Sequence, residues 1–251
     1  MKKSPRGFSL IELSVVILII GIFVAGALSS SALVKKFRIS TARSLTQSSP
    51  VNSISSLSMW LETSLEKSFS DSESNEGSTL SSWYDVSSTS VTKTNASQNG
   101  SNKPIFSSNF NNINAVKFDG TSNFLNFDGS LLNNSDYTIF ITEKRESNKS
   151  SNYFIGDSSL TTANQNLILG YSLDGQITHS QGTGTEYSSN VSTFATSSAE
   201  ARIFTFLHSS SLGKKTYING ILAGESPSNT TPLSNITTLT LGILQTGSVL
   251  S

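Results

Sequence analysis

The chain lacks cysteine and has only two histidines among its 251 residues. The absence of cysteine excludes disulfides, thiolate metal sites and a cysteine nucleophile. Two histidines leave little for acid–base or metal chemistry. Charge is also scarce, because charged residues make up 14% of the chain, against about 25% in ordinary soluble domains. The 17 basic and 17 acidic residues cancel, so the basic surface of a nucleic-acid-binding protein is missing and we expect no nucleic-acid partner.

Serine takes the place of charge, with 52 residues. A surface made polar by serine, threonine and asparagine, with few lysines and glutamates, is typical of an extracytoplasmic β-rich protein rather than a cytosolic helical enzyme. The length allows one large domain or two small ones.

The N-terminus carries the clearest signal. A short basic leader, residues 1–7, is followed by 21 mostly apolar residues, Phe8 to Leu28, with Glu12 as their one charge. As a helix this stretch extends about 31 Å, enough to cross a bilayer core. An ionisable group within such a span is costly and usually functional. If the chain is cut after Gly7, Glu12 lies at the same helix end as the new α-amino group of Phe8, and it can neutralise the amine of a neighbouring helix.

This segment resembles the prepilin leader of type IV pilins and of the pseudopilins of type II secretion systems, through Gly7, Phe8 and Glu12 before an apolar run. The resemblance implies that a prepilin peptidase cuts after Gly7 and methylates Phe8, and that Glu12 guides filament assembly. It implies other pilin or pseudopilin subunits as partners through the N-terminal helix. It also implies a single pass through the bacterial inner membrane with an extracytoplasmic head, and later a pilus or pseudopilus in the periplasm or at the cell surface.

Two other interpretations of the N-terminus stay open. Ala25-Gly26-Ala27 has the form of a signal peptidase site, although a secretory signal would not be expected to be so long or to contain Glu12. An unprocessed membrane anchor is the second. The positive-inside rule does not orient the span, since Lys35, Lys36, Arg38 and Arg43 follow it. These four cations can equally contact lipid headgroups.

The sequence divides into a leader (1–7), an N-terminal helix (8–49), a linker (50–56) and a head (57–251). The helix should stop before Pro50, because the residue before a proline avoids the α region. In the head, short apolar runs alternate with Ser/Asn/Gly clusters, which predicts an all-β sandwich. The run YTIFITE (137–143) is apolar on both faces, so we expect a strand buried on both sides. Asn219-Gly220 between two runs predicts a type I′ hairpin.

The order of motifs in the head resembles the laminin-G-like, concanavalin A-like jelly roll. The resemblance rests on MWLET (59–63), SSWYDVS (81–87), the two Phe-Asp-Gly segments within 115–129, YTIFITEKR (137–145) and KKTYINGILAGE (214–225). It implies two packed antiparallel sheets that bind a glycan or protein, or that serve only as a scaffold. That family's last strand has no counterpart after residue 244, so we expect an open sheet edge or a missing segment.

The sequence contains little catalytic chemistry. It has no G-x-S-x-G elbow, no phosphate-binding glycine loop and no strand with two carboxylates for glycoside cleavage. His179 and His208 are expected to be strand-face residues. The loop 70–79 lacks the glycine and glutamate of an EF-hand. We therefore predict that the protein is not an enzyme and has no cofactor, with a structural calcium ion left open but not indicated.

A glycan site in the head would need exposed aromatic rings near Asp or Asn side chains. The candidates are Trp83, Tyr84 and Asp85, with Asp119 and Asn123 in a Phe-Asp-Gly loop. The competing interpretation makes the tryptophan part of the core and the carboxylates turn-fixing groups.

The sequence as a whole predicts a pilin-like or pseudopilin-like filament subunit whose head binds a glycan or protein in adhesion. The alternative is a laminin-G-like binding module tethered to the membrane without a filament. A degenerate carbohydrate-active enzyme is the third class.

Overall fold

The computed structural model describes residues 10–110, 113–146, 151–157, 162–171, 177–182, 200–243, 245–246 and 249–250. One long helix, α1 (Leu10–Gln47), precedes a β-rich head. The strands of the described head are β1 (Ser82–Trp83), β2 (Ala96–Ser97), β3 (Ile105–Phe110), β4 (Ile113–Lys117), β5 (Leu125–Asp128), β6 (Tyr137–Glu143), β7 (Asn152–Asp157), β8 (Ile168–Tyr171), β9 (Ile177–Ser180), β10 (Arg202–Ser209), β11 (Gly213–Ile218), β12 (Ile221–Ser226), β13 (Thr238–Leu241), β14 (Gln245–Thr246) and β15 (Val249–Leu250).

The end of α1 confirms the stop predicted before Pro50. The helix ends at Gln47, and a 3₁₀ turn begins at Pro50, whose fixed φ suits the first helical position. Ser49 caps this turn, because its hydroxyl accepts a hydrogen bond from the backbone N–H of Val51 at 3.3 Å. The chain therefore changes direction within a few residues of the helix end.

None of the helices in the described ranges combines the length and apolar content that a membrane span requires. The span over residues 8–28 and the single-pass topology stay predictions. The leader 1–7 and Phe8 lie outside the described residues. The division at residues 49 and 56 also stays a prediction.

The head is built from antiparallel sheets in a sandwich-like arrangement. One sheet has seven strands in the order β1-β2-β5-β13-β7-β8-β9, and the other has four in the order β12-β11-β10-β6. Two smaller ladders join β3 with β4 and β14 with β15. Most strands fall on the predicted apolar runs. MWLET (59–63), one of the segments that carry the jelly-roll resemblance, is an exception, since it forms only an isolated bridge between Leu61 and Asp85.

The core lies between the two large sheets. Phe154 of β7 meets Phe204 of β10 with ring centroids 5.0 Å apart, and Tyr171 of β8 meets Phe204 edge-on at 5.9 Å. Phe204 and Phe206 are fully buried. Burial of each such side chain contributes about 1.5–3 kcal/mol. A second, smaller cluster contains Phe69, Leu80 and Phe106.

The predicted burial of β6 on both sides is wrong. Tyr137 is buried and Ile139 is half-buried, but Phe140 on the opposite face is 69% exposed. The apolar alternation shows which side chains share a face, and it does not show whether another layer covers that face. The outer face of the four-stranded sheet is open at Phe140.

The hairpin between β11 and β12 is confirmed. Its two loop residues, Asn219 and Gly220, have φ values of 50° and 79°, which is the left-handed geometry that a type I′ turn requires. The expectation that the sandwich has an open sheet edge or a missing segment after residue 244 stays a prediction.

Candidate assembly helix and head surfaces

The first half of α1 presents an apolar surface around one acid. Glu12 lies in the first turn and is exposed, and so are Leu10, Ile11 and Leu13. The described apolar side chains of this half are therefore not covered by the head. Gly7 and Phe8, the predicted processing residues, lie outside the described residues.

The second half of α1 contacts the head through polar groups. The Arg43 guanidinium donates to the Ser64 carbonyl at 2.8 Å and to the Glu66 carboxylate at 2.5 Å. One turn later, the hydroxyls of Thr46 and Ser64 are 3.0 Å apart. Nearer the N-terminus of α1, Lys35 donates to the Ser108 hydroxyl. We call these contacts the helix–head latch.

A cleft of about 330 Å³ lies beside the helix–head latch. Its helix wall carries Lys35 and Arg43, and its head wall carries Glu66 and Glu76. Hydrogen bonds from the Ser108 hydroxyl and backbone lower the pKa of the Glu76 carboxyl, and the nearby Lys35 ammonium adds to this effect. Glu76 therefore stays ionised at neutral pH, and the cleft joins opposite charges that hold the head against the helix.

Sequence reasoning missed the helix–head latch. From the sequence alone, Lys35 and Arg43 are predicted only to be cations that can contact lipid headgroups. The available signal is spacing, because Lys35, Ile39, Arg43 and Thr46 follow each other at four-, four- and three-residue intervals and share one helix face. All four are partly buried. Their partners on the head come from residues 62–76 and 107–108, which no local pattern identifies.

Trp83 and Tyr84, two of the predicted ligand residues, differ in exposure. The Trp83 indole N–H donates to the Glu62 carbonyl at 2.8 Å, and its ring stacks on Phe69 at 6.0 Å. Trp83 also packs against both apolar clusters. Tyr84 is 36% exposed. Of the two rings, Tyr84 is thus the one more available to a ligand.

Asp85 organises the chain around β1. Its carboxylate accepts backbone N–H groups from Trp60 at 3.0 Å, Ser87 at 2.9 Å and Thr94 at 3.1 Å. Burial alone would raise the pKa of this carboxyl, but the three donors outweigh burial and lower it. Asp85 joins three separate stretches of chain, which matches the turn-fixing interpretation.

Asp119 and Asn123 form one closed loop between β4 and β5. The Asp119 carboxylate accepts from the backbone of Thr121, Ser122 and Asn123 at 2.8–2.9 Å. The Asp119 backbone N–H in turn donates to the Asn123 side-chain oxygen at 3.2 Å. Burial opposes ionisation here, yet these hydrogen bonds lower the pKa of Asp119 far below its usual range. The ligand role of all five head residues stays a prediction.

A buried polar cluster lies between the sheets. The Tyr137 hydroxyl is 2.9 Å from Nε2 of His179 and accepts from the Gln181 amide at 3.0 Å. The Lys214 ammonium donates to the His179 carbonyl at 3.0 Å, and His208 stacks on Tyr137 at 5.4 Å. Both histidines are buried strand-face residues, as predicted.

The histidines of this cluster are held neutral. Burial lowers the pKa of His179 well below its ordinary value, and the Lys214 ammonium adds to this effect. Burial also lowers the pKa of His208, with Asp136 opposing it. Nδ1 of His179 has no hydrogen-bond partner among the described residues, and a hydrogen bond with the Thr231 backbone also opposes the lowering of the His208 pKa. In the part of the chain that the structure describes, no three His, Asp or Glu side chains form a group able to hold a metal ion.

Comparison with protein families identifies the N-terminus. The family described as the prokaryotic N-terminal methylation motif matches residues 2–28, which include Gly7, Phe8 and Glu12. A search of curated proteins found no match.

Comparison with solved structures bears on the head. The chain is similar to domain 4 of AbnA, a GH43 extracellular arabinanase from Geobacillus stearothermophilus, solved in complex with arabinotriose. The TM-score is 0.50 with 11% identity, over 66% of this chain and 81% of that chain. At this identity the likeness concerns the fold alone. The protein therefore combines a prepilin-type N-terminal motif with a β-rich, sandwich-like head.

Proposed function

We propose that the protein is a pilin-like or pseudopilin-like subunit that assembles through α1 into a type IV pilus or a type II secretion filament. The observation that carries this proposal is the methylation motif at residues 2–28, which runs directly into the 38-residue helix α1. A prepilin peptidase cuts after Gly7 and methylates Phe8. The chain starts in the inner membrane with its head outside the cytoplasm.

Assembly follows from the exposed apolar half of α1. Packing these helices side by side removes the surface around Leu10, Ile11 and Leu13 from water and lipid. Glu12 is an acid in this surface, and an acid enclosed among packed apolar helices is costly unless a positive charge neutralises it there. The α-amino group freed at Phe8 of an adjacent subunit supplies that charge and fixes the register of the helices.

Mass spectrometry of the mature N-terminus tests the processing step. The expected mature protein begins with N-methylated Phe8. A protein that still begins at Met1, or one that begins at Leu28 after signal peptidase cleavage, would contradict the proposal.

The Glu12→Gln variant tests the assembly step. We expect normal membrane insertion and at least a tenfold loss of incorporation into filaments, because one buried charge pair is worth several kcal/mol when broken. Lys36→Gln is the matched control, since it removes an exposed charge from the same helix outside the motif. Equal incorporation of the two variants would remove the role given to Glu12.

For the head we propose contact with a glycan or protein and no catalysis. Support comes from the neighbouring arabinanase domain, which was solved with arabinotriose, and from the exposed ring of Tyr84. A glycan array probed with the full-length chain in detergent, beside Tyr84→Ala, tests this point. Binding that Tyr84→Ala abolishes supports a site near β1, and an array without hits would favour a scaffold.

The second candidate function is a binding module tethered to the membrane without a filament. The polar helix–head latch is compatible with it, because the latch fixes the head whether or not α1 joins other helices. Detection of both methylated Phe8 and filaments that contain the protein would favour the filament subunit over the tethered binding module.

A further inference from the structure

The outer face of the four-stranded sheet is open and apolar. The strand register places on this outer face Thr138, Phe140, Thr142, Ile203, Thr205, Leu207, Lys215, Tyr217, Leu222 and Glu225. We call this set the outer patch. Phe140 is 69% exposed, Ile203 is 50% exposed and Leu222 is 48% exposed. An exposed apolar group of this kind, rimmed by hydroxyls, marks an interaction site on a soluble head.

The strand register brings the outer patch into one continuous surface. Phe140 pairs with Thr205, Thr205 pairs with Tyr217, and Tyr217 pairs with Leu222. These four residues form one row across β6, β10, β11 and β12, with neighbouring strands about 4.8 Å apart. Ile203 lies in the next row, opposite Thr142. The row crosses the whole sheet, so a flat partner surface can contact all four strands at once.

The outer patch is nearly neutral. Its two charged residues, Lys215 and Glu225, face each other across β11 and β12 and have opposite signs, with the ammonium 3.7 Å from the carboxylate. A partner with a strong charge of either sign would therefore gain little here. A neutral, serine-rich surface such as the head of this same protein meets no electrostatic penalty, because the chain has 17 basic and 17 acidic residues.

The size of the outer patch points to a contact that depends on tethering. Its three most exposed side chains offer on the order of 300 Å², below the roughly 800 Å² per partner of a stable interface. Two free heads would thus not form a lasting dimer. Helices packed in a filament hold the heads at millimolar effective concentration, at which so small an interface is occupied.

We propose that the outer patch, centred on Phe140 and Thr205, packs against a second copy of this chain within the assembled filament. The proposal rests on the proposed filament function and extends it from the helix to the head. Phe140, Ile203 and Leu222 supply the apolar contact area. The threonines flank them and can hydrogen-bond at its margin.

Cysteine labelling tests the proposal, because the chain has no cysteine of its own. Thr142→Cys places an exposed thiol within the outer patch, and Val91→Cys places one on a fully exposed loop residue outside it. We expect a maleimide to label Thr142→Cys in filaments at least about tenfold more slowly than in unassembled protein, since a packed interface excludes the reagent. Val91→Cys should label equally in both.

Equal labelling of Thr142→Cys in filaments and in unassembled protein would overturn the proposal. Protection that already appears in the unassembled membrane fraction would assign the face to lipid and would also overturn it. Protection of unassembled protein by added soluble polysaccharide, such as arabinan, with none in filaments, would assign the face to a glycan instead.

Two further measurements separate this proposal from the filament function. If no filament forms, the filament function fails, and the same thiols are labelled in proteoliposomes at low and high protein density. Protection that grows with density still supports contact between copies, whereas constant labelling refutes it. In filaments, Phe140→Thr should raise the unassembled fraction severalfold on dilution into detergent, and Val91→Thr should not. The same stability for both variants would contradict the role of Phe140.

Discussion

The head and the second half of α1 are held by different kinds of contact. The head buries aromatic and aliphatic side chains between two sheets, as Phe204 and Phe206 show. The helix contacts the head through a guanidinium, an ammonium and hydroxyls. Apolar burial stabilises the head by itself. The polar helix–head latch orients the head on α1, and breaking it should lose less free energy than opening the core. The two regions should therefore respond separately to mutation, acid and salt.

The largest expected effect comes from the core. Phe204→Ala should destabilise the head by about 3–5 kcal/mol, through lost burial and a cavity beside Phe154 and Tyr171. Thermal unfolding followed by near-UV circular dichroism measures the loss, with far-UV helical signal in detergent as the internal control for α1. Loss of both signals in one transition would show that the two regions are coupled.

Acid should weaken the head next. His179 and His208 are neutral in the fold because burial lowers the pKa of each, whereas in the unfolded chain they gain protons below about pH 6.5. The unfolded state then binds more protons, so stability should fall as the pH drops from 7 to 5. We expect the Tm of the head to decrease by several degrees over this range.

The His179→Gln variant provides the comparison for this pH dependence. Burial raises the pKa of Glu143, so this carboxyl acts in the opposite sense in acid, and the difference between wild type and variant isolates His179. The slope of Tm against pH should be shallower in His179→Gln. A slope equal to that of the wild type would contradict the role given to His179.

A smaller effect is expected from the helix–head latch. Arg43→Ala removes a charged hydrogen bond to Ser64 and an exposed ion pair to Glu66, together worth about 1–2 kcal/mol. Limited proteolysis between residues 50 and 57 should become several times faster, with the Tm of the head unchanged. High salt should produce the same change in the wild type. Lys36→Ala is the control. A lower Tm of the head in Arg43→Ala would contradict the expectation that the head and the helix–head latch respond separately.

The smallest effect is expected in the loop between β4 and β5. Asp119→Ala removes the acceptor for three backbone donors, which should cost about 1 kcal/mol at this exposed site. Chemical denaturation of the head measures it, with Asp71→Ala as the matched control. Unchanged stability together with lost glycan binding would favour a ligand role for Asp119.

Local patterns predicted much of the fold. The apolar run before Pro50 gave α1, period-two alternation gave strands such as β6 and β10, and Asn219-Gly220 gave a hairpin. Each of these depends on neighbouring residues, whose backbone preferences the sequence displays directly. The missed features depend on residues far apart in the chain, such as Arg43 with Glu66 and Tyr137 with His179.

The candidate sites divide in the same way. The methylation motif was predictable because its residues lie close together in the chain, and the family comparison matches residues 2–28. The exposure of Phe140 could not be predicted, because periodicity assigns a side chain to a face of the sheet and does not show what covers that face. For Asp85 the sequence offered two roles, and only the three-dimensional structure shows donors arriving from Trp60 and Thr94.

The placement of β13 has a consequence for biogenesis. This strand, Thr238–Leu241, is inserted between β5 and β7 in the middle of the larger sheet, and its Leu239 is fully buried. The larger sheet cannot close until the chain has been synthesised through residue 241, because its central strand comes after all six of its sheet partners in the sequence. Until then β5 and β7 have no strand between them, and their apolar side chains stay exposed.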